Sequence, residues 1–167
     1  MAGEQSVVRR LFSFPDPVNE VSARLVAGGV VALSLATIAF DLPWMTAVVA
    51  YGFAARVATG PTLSPLGQIV TRFITPRLAL AERPVPGPPK RFAQLIGLVF
   101  SLSAALLALA LDDVTAAYVV LGLLVCAASL EAFAGVCLGC RAFALLMRVG
   151  VIPAAVCERC ADISVAR

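Results

Sequence analysis

Four long apolar runs dominate this chain. Short polar breaks separate the first from the second and the third from the fourth, and a longer connection joins the second to the third. Crossing a bilayer takes about 20 helical residues. The third run has that length by itself, and the first and fourth reach it when a few flanking residues are added. The second run, Leu42 to Ala55, is the shortest, and its helix can start at Pro43, a residue type favoured at the first position of a helix. The pattern predicts four transmembrane helices, over residues 21–40, 42–58, 92–111 and 114–136.

A shorter helix is predicted in the connection between the second and third spans. Ser64 can cap a helix that has Pro65 at its first position, and Pro76 ends or kinks it. Asp16-Pro17 is a similar start signal for the first span. About eleven residues are too few to cross a bilayer, so the segment is predicted to be an amphipathic helix on the cytosolic surface of the membrane. Packing against the ends of the spans is a compatible alternative. The apolar positions of this predicted helix recur at helical spacing: Leu66, Ile69, Val70 and Phe73.

Composition and charge support a membrane protein and give it an orientation. Of the 167 residues, 60% are hydrophobic and 14% are charged, whereas soluble domains carry about 25% charged residues. Neither short connection, at Asp41 or at Asp112-Asp113, contains Lys or Arg. Eleven of the thirteen basic residues lie in the N-terminus, the central connection 59–91 and the tail 137–167. The other two, Arg24 and Arg56, lie in the first and second predicted spans, toward the ends that face these segments. Because basic segments stay in the cytoplasm, both termini, the connection and the tail are predicted to be cytosolic.

These observations predict one all-α integral membrane domain over residues 1–167. It has four spans, a surface helix and a short cysteine-bearing tail, and it lies in a plasma membrane. The net charge of +3 is explained by this topology and by contact with anionic lipid. No nucleic-acid partner is therefore expected.

Two Cys-x-x-Cys pairs provide the most specific chemical signal. Sixteen residues separate them, a spacing typical of a four-thiolate metal site. A turn between Gly150 and Pro153 can bring the second pair back to the first, and the reducing cytosol keeps thiols free. The primary hypothesis is a structural metal site, most simply zinc, with an iron–sulfur cluster as a less favoured variant. Its predicted ligands are Cys137, Cys140, Cys157 and Cys160.

Thiol chemistry is the main alternative to a metal. A redox or sulfur-transfer dithiol needs one thiolate of lowered pKa and a resolving thiol. Cys137 and Cys140 can supply both, and Arg141 is adjacent. Simple packing is the third interpretation. Cys126, alone in the middle of the fourth span, is predicted to be a small core residue.

The remaining polar groups leave enzymatic activity undecided. The chain has no His, which excludes Cys/His pairs and His-bound metals, and general acid–base groups are scarce. A small transporter is a further alternative. It would require polar residues along several spans, and few are present.

Glu131 is the one acid inside an apolar run. A carboxylate at that depth needs a partner, and counting along the predicted spans puts Arg24 and Arg56 at a similar depth. The favoured prediction is an intramembrane ion pair between Glu131 and Arg56 or Arg24. A proton or ion relay through Glu131 is the alternative.

Several short motifs together suggest a family. They are Asp16-Pro17-Val18-Asn19, Gly60-Pro61-x-x-Ser64-Pro65, Gly87-Pro88-Pro89-Lys90-Arg91-Phe92-Ala93-Gln94, Phe133-Ala134-x-x-Cys137-x-Gly139-Cys140 and Cys157-x-x-Cys160. They resemble a bacterial family of small membrane proteins, domain-of-unknown-function family 4395. The resemblance implies a four-span protein of the bacterial plasma membrane. It also implies occurrence in actinobacteria near thioredoxin-like and sulfurtransferase proteins, which are the partners expected for thiol chemistry. It implies no established activity.

Overall fold

Helices make up nearly all of the regular structure. The computed structural model describes residues 14–78, 81–153 and 156–157. A π-helical turn at Val70–Ile74 joins two of the helices, and the short strands β1 (Val18–Asn19) and β2 (Pro84–Val85) pair in antiparallel fashion. In chain order the helices are α1 (Glu20–Ala39), α2 (Met45–Thr59), α3 (Pro65–Ile69), α4 (Thr75–Arg77), α5 (Gly87–Leu109), α6 (Val114–Ala134) and α7 (Leu138–Arg148).

Three of these helices, α1, α5 and α6, are long and apolar enough to cross a bilayer. Helix α2, which was predicted as the second span, is apolar but has only 15 residues. At 1.5 Å per residue it covers about 22 Å of a hydrocarbon core that is about 30 Å thick. The all-α fold and the indication of a multi-pass membrane protein therefore hold, and α2 stands as a shorter apolar helix beside three candidate spans.

The four apolar helices pack around one core. Helix α1 lies against α6, α6 against α5, and α5 against α2. Leu121 and Ala104 are fully buried in this core, with Val30, Val49 and Phe53 around them. The short helix α7 lies against α5, so the segment that carries the first cysteine pair is attached to the end of the bundle where α5 begins and α6 ends.

Several polar side chains lie inside the bundle beside the apolar core, and many large apolar side chains lie on its outer surface. Ser34, Thr37, Thr46 and Ser101 are fully buried, and the Thr37, Thr46 and Ser101 hydroxyls donate to nearby backbone carbonyl groups. The outer surface is apolar to an extent that water does not favour but lipid does. More than half of each of these side chains is exposed: Val99, Leu106, Val119 and Leu123.

Cys126 belongs to this outer surface. It is exposed, so the prediction that it is a core residue was wrong. The reason is its position on α6, three residues after Leu123 and four before Leu130, both of which are exposed. Residues at this spacing share one face of a helix.

The segment before α1 differs from the expected helix start. Asn19 caps α1, and its side chain accepts a hydrogen bond from the Val21 N–H at 3.0 Å. Asp16 was expected to start this helix. Instead, its carboxylate accepts from the Gly87 N–H at 3.0 Å, next to the pairing of β1 with β2. Asp16 therefore supports the beginning of α5.

The predicted surface helix is present as α3, the π-helical turn and α4. Ser64 caps it, and its hydroxyl accepts from the Gly67 N–H, as predicted. Val70 is almost fully buried against the bundle, whereas Ile69 and Phe73 are about half exposed. One side of the segment thus packs on the spans, and the other presents apolar side chains outward, which agrees with both interpretations of its sequence.

Candidate dithiol site

A sharp turn between α6 and α7 creates the first cysteine site. Gly135 adopts the left-handed conformation, with φ of 67°, and ends α6. Two residues later Cys137 caps α7 in an extended conformation, and its sulfur accepts a hydrogen bond from the Cys140 N–H at 3.3 Å. A helix N-terminus carries partial positive charge and favours a thiolate. The cap thus places both sulfurs at the N-terminal end of α7.

Gly139, between the two cysteines, fixes where this end of α7 lies. It is buried against α5, and a Cβ atom at position 139 would lie 2.5 Å from both the Cα and the Cβ of Ala93. Only a glycine permits such an approach. Next to this contact, the Phe92 and Phe143 rings pack against each other at a tilt of 59°, with their centroids 5.6 Å apart. The dithiol is therefore held against the first turns of α5.

Lys90, in the first turn of α5, forms the ion pair of this site. Its Nζ atom donates to Glu131 Oε1 at 2.7 Å, and only 9% of the Lys90 side chain and 15% of the Glu131 side chain are exposed. The predicted pairing of Glu131 with Arg56 or Arg24 is therefore corrected. Helix α5 begins at Gly87, earlier than the apolar pattern indicated, and this brings Lys90 to the level of Glu131 on the neighbouring helix α6.

The two arginines have other partners. Arg24 donates to the carbonyl oxygens of Ala132 and Phe133, and so covers free carbonyls at the end of α6. Arg56 is 5% exposed and stacks on the Phe53 ring at 4.4 Å.

Arg56 is held by neutral groups. Its Nε atom donates to Gln94 Oε1 at 2.9 Å, and its Nη1 atom donates to the Ser64 hydroxyl at 3.2 Å. Within the described part of the chain it makes no salt bridge, and its third nitrogen, Nη2, has no hydrogen-bond acceptor.

The two thiols of the site are electrostatically unequal. A hydrogen bond from the Cys140 side chain lowers the pKa of Cys137, and the charge of Lys90 acts in the same direction, against burial and the charge of Glu131. The same hydrogen bond, together with burial, raises the pKa of Cys140. The arrangement favours one thiolate on Cys137 beside one protonated thiol on Cys140.

The second cysteine pair is only partly within the described residues. Cys157 is buried against Phe143 of α7 and is disulfide-bonded, and Cys160 lies outside the described residues. Cys137 and Cys140 are free thiols. In the ranges 14–78, 81–153 and 156–157 no cluster of three or more metal-ligating side chains occurs. The four-thiolate zinc site therefore stays a prediction.

A cavity of about 270 Å³ opens beside the dithiol, inside the bundle. Helices α1, α2, α5 and α6 form its apolar walls, in which Val30, Phe53 and Leu124 take part. Its polar wall residues are few and adjacent to one another: Arg56, Gln94, Glu131 and Cys137.

Comparison with known proteins identifies the family. The family described as "Domain of unknown function (DUF4395)" matches residues 18–148. The chain belongs to this family. The match includes the positions of Cys137 and Cys140 and ends before Cys157. No curated protein and no solved structure matches the chain.

Two residues of the site, Lys90 and Gln94, were missed by the sequence analysis. Lys90 follows Pro88-Pro89 and was placed in the central connection 59–91. Proline is also favoured in the first turn of a helix, and α5 does carry proline there. That signal could have placed Lys90 inside the helix, at the end of the bundle where Glu131 lies. Nothing in the sequence marked Gln94 as the partner of Arg56.

Proposed function

We propose that this DUF4395 protein is a membrane-bound thiol–disulfide exchange protein, with Cys137 as the attacking thiol and Cys140 as the resolving thiol. The observation that carries the proposal is the Cys137 sulfur at the cap of α7, where it accepts from the Cys140 N–H at 3.3 Å. Lys90 supplies positive charge beside it. A capped thiolate with a second thiol three residues on is the arrangement that exchange requires.

The exchange proceeds in two balanced steps. The Cys137 thiolate attacks one sulfur of a partner's disulfide, a mixed disulfide forms, and the partner's other sulfur leaves as a thiolate. The Cys140 thiol then loses its proton and attacks the Cys137 sulfur, which forms the Cys137–Cys140 disulfide and releases the second partner sulfur as a thiolate. Each released thiolate takes up a proton. The reverse sequence oxidises a partner's dithiol.

The partner is a soluble protein that meets the dithiol at the end of the bundle. A thioredoxin-like or sulfurtransferase protein fits, because both present a reactive cysteine at their surface. With four spans and both termini in the cytoplasm, as the basic residues indicate, this end of the bundle faces the cytosol. The bilayer then holds the exchange site at the membrane surface.

Mixed-disulfide trapping tests the proposal. The reduced protein, purified in detergent, is mixed with oxidised thioredoxin. Cys140→Ser lacks the resolving thiol and should accumulate a mixed disulfide through Cys137, whereas Cys137→Ser should form none. Cys126→Ser is the matched control, since Cys126 is exposed on the outer face of α6, and it should behave as wild type. Equal trapping by Cys137→Ser and Cys140→Ser would contradict the assigned roles.

A zinc site is the second candidate, and one observation favours it. Cys157 is packed against Phe143, three residues after Cys140 on α7, so the second pair begins near the first. Zinc needs thiolates, so the disulfide at Cys157 has to be reduced first. Metal analysis of protein reduced without oxygen should then give one zinc per chain, lost equally in Cys137→Ser and Cys157→Ser. Zinc-free reduced protein would reject this candidate.

A further inference from the structure

The cavity inside the bundle has the features of a binding site for a lipid-soluble molecule. Its volume of about 270 Å³ lies just below the range of about 300–1,000 Å³ usual for small-molecule sites, which is enough for a compact ring system. Its walls are mainly apolar. Leu123 is 56% exposed on the lipid-facing side of α6 and also lines the cavity, so a ligand dissolved in the bilayer can reach it from the side.

Hydrogen-bond donors point to an oxygen-bearing ligand. Arg56 is almost fully buried and lines the cavity, and its Nη2 atom has no hydrogen-bond acceptor among the described residues. Gln94 accepts from Arg56 through Oε1, which leaves its amide N–H groups without an acceptor among the described residues. The charge of Glu131 acts on Arg56, but Glu131 is bonded to Lys90, and a buried cation that has no directly bonded carboxylate is costly in a membrane. A ligand carbonyl oxygen at this position would lower that cost.

The same cavity touches the dithiol. Cys137 forms part of its wall, and so do Leu138 and Gly139. Glu131 lines it as well and is paired with Lys90. Cys137, the Glu131 carboxylate and the hydrogen-bond donors of Arg56 and Gln94 therefore line one apolar space.

From these contacts we infer that the cavity binds the ring of a lipid-soluble quinone, which serves as the electron acceptor for the Cys137–Cys140 dithiol. The inference rests on the proposed exchange function and names its oxidant. Quinones have an apolar ring, two carbonyl oxygens and a tail that stays in lipid, and each of these matches one feature of the cavity. Arg56 and Gln94 bind a carbonyl oxygen, and the tail leaves past Leu123.

The reaction balances without another reactant. Two S–H bonds break and the Cys137–Cys140 S–S bond forms. The two electrons and two protons pass to the quinone, whose carbonyl oxygens become the hydroxyl groups of a quinol. The regenerated disulfide then oxidises the dithiol of the soluble partner. Glu131 lines the cavity and is bonded to Lys90, so this pair is positioned to assist the transfer of protons.

A single-turnover experiment tests the inference. Reduced protein in lipid nanodiscs, freed of excess reductant, is mixed with decylubiquinone or with a menaquinone that has one prenyl unit. Absorbance should show one quinone reduced for each pair of thiols lost. Arg56→Met should weaken quinone binding by about tenfold or more, the loss expected for a hydrogen bond to a charged group. Arg24→Met is the matched control, because Arg24 binds carbonyls at the end of α6 outside the cavity, and it should keep wild-type binding.

A second variant covers the case in which Arg56→Met does not fold. Ala127→Leu adds volume to the cavity wall and should block quinone reduction while mixed-disulfide trapping by Cys140→Ser continues. Absence of quinone reduction by the protein with its native cavity, with trapping by Cys140→Ser intact, overturns the quinone inference and leaves the exchange function standing, and so does undiminished quinone reduction in Ala127→Leu. Loss of trapping overturns the exchange function. Quinone reduction that persists in Cys137→Ser shows that the dithiol is not the donor and overturns the inference, as does binding of phospholipid alone.

Discussion

Lys90 Nζ and Glu131 Oε1 lie 2.7 Å apart, although 41 residues separate them in the chain. They join the beginning of α5 to the end of α6 at the level of the cysteines. Both side chains are largely buried, so neither charge can be left alone without a large cost. The ion pair therefore stabilises the packing of α5 against α6, and its charges also act on the two thiols.

The first prediction concerns this ion pair. Lys90→Met or Glu131→Leu alone should lower the free energy of unfolding by about 3 kcal/mol, because each leaves a buried charge unpaired. The Lys90→Met/Glu131→Leu double variant should recover much of that loss. Thermal unfolding in detergent measures all three. The matched comparison is Glu131→Leu with Arg24→Met, whose effects should simply add, and additivity in the Lys90 double variant would show that the pair contributes no coupling.

Comparison of sequence and structure shows which features a single chain reveals. The apolar runs indicated the helices because burial in lipid requires long uncharged segments. Ser64 was correctly assigned as a cap because the signal is local. The partner of Glu131 could not be chosen by depth alone, since several cations lie at similar depth. The choice depends on which helices are neighbours, and α6 lies against both α1 and α5.

The cysteine site was predictable in its residues and not in its geometry. The Cys-x-x-Cys spacing marked Cys137 and Cys140, and the same spacing serves a zinc ligand pair or a redox pair. What the spacing does not show is the geometry of the pair, which depends on the left-handed turn at Gly135. This turn ends α6 and makes Cys137 the cap of a new helix. The cavity was not predictable, because its wall combines residues from four helices and α7.

The second prediction concerns Gly139. Gly139→Ala should destabilise the protein by about 2 kcal/mol, because the added methyl group overlaps Ala93 of α5 and overpacking has a cost of this size. It should also expose Cys140 to alkylating reagents, since α7 must move away from α5. Gly122→Ala is the control. A Cβ at position 122 meets nothing within 4 Å, so this change should be neutral or slightly stabilising.

The third prediction concerns orientation in the membrane. In a variant that lacks the native cysteines, Asp112→Cys should react with a membrane-impermeant maleimide added to intact cells. Arg148→Cys, at the end of α7, should react only after the membrane is opened. The distribution of basic residues is the reason. Labelling of Arg148→Cys in intact cells would reverse the topology and place the dithiol in an oxidising compartment.

The last prediction concerns the pH dependence of Cys137 reactivity. Its pKa is lowered, first by the hydrogen bond from Cys140 and then also by the charge of Lys90, so Cys137 is a thiolate at pH values where an ordinary thiol is protonated. The rate of its alkylation by iodoacetamide, followed by mass spectrometry, should therefore rise at lower pH than the rate for a model thiol. Because thiolates alone react, losing either stabilising group should move the rise to higher pH. Cys140→Ala should move it most, and Lys90→Met should move it in the same direction. Arg24→Met, which leaves both groups in place, should not move it. An unchanged profile in Cys140→Ala, which keeps the backbone N–H at the cap of α7, would mean that the hydrogen bond from the Cys140 side chain does not control the reactive thiol.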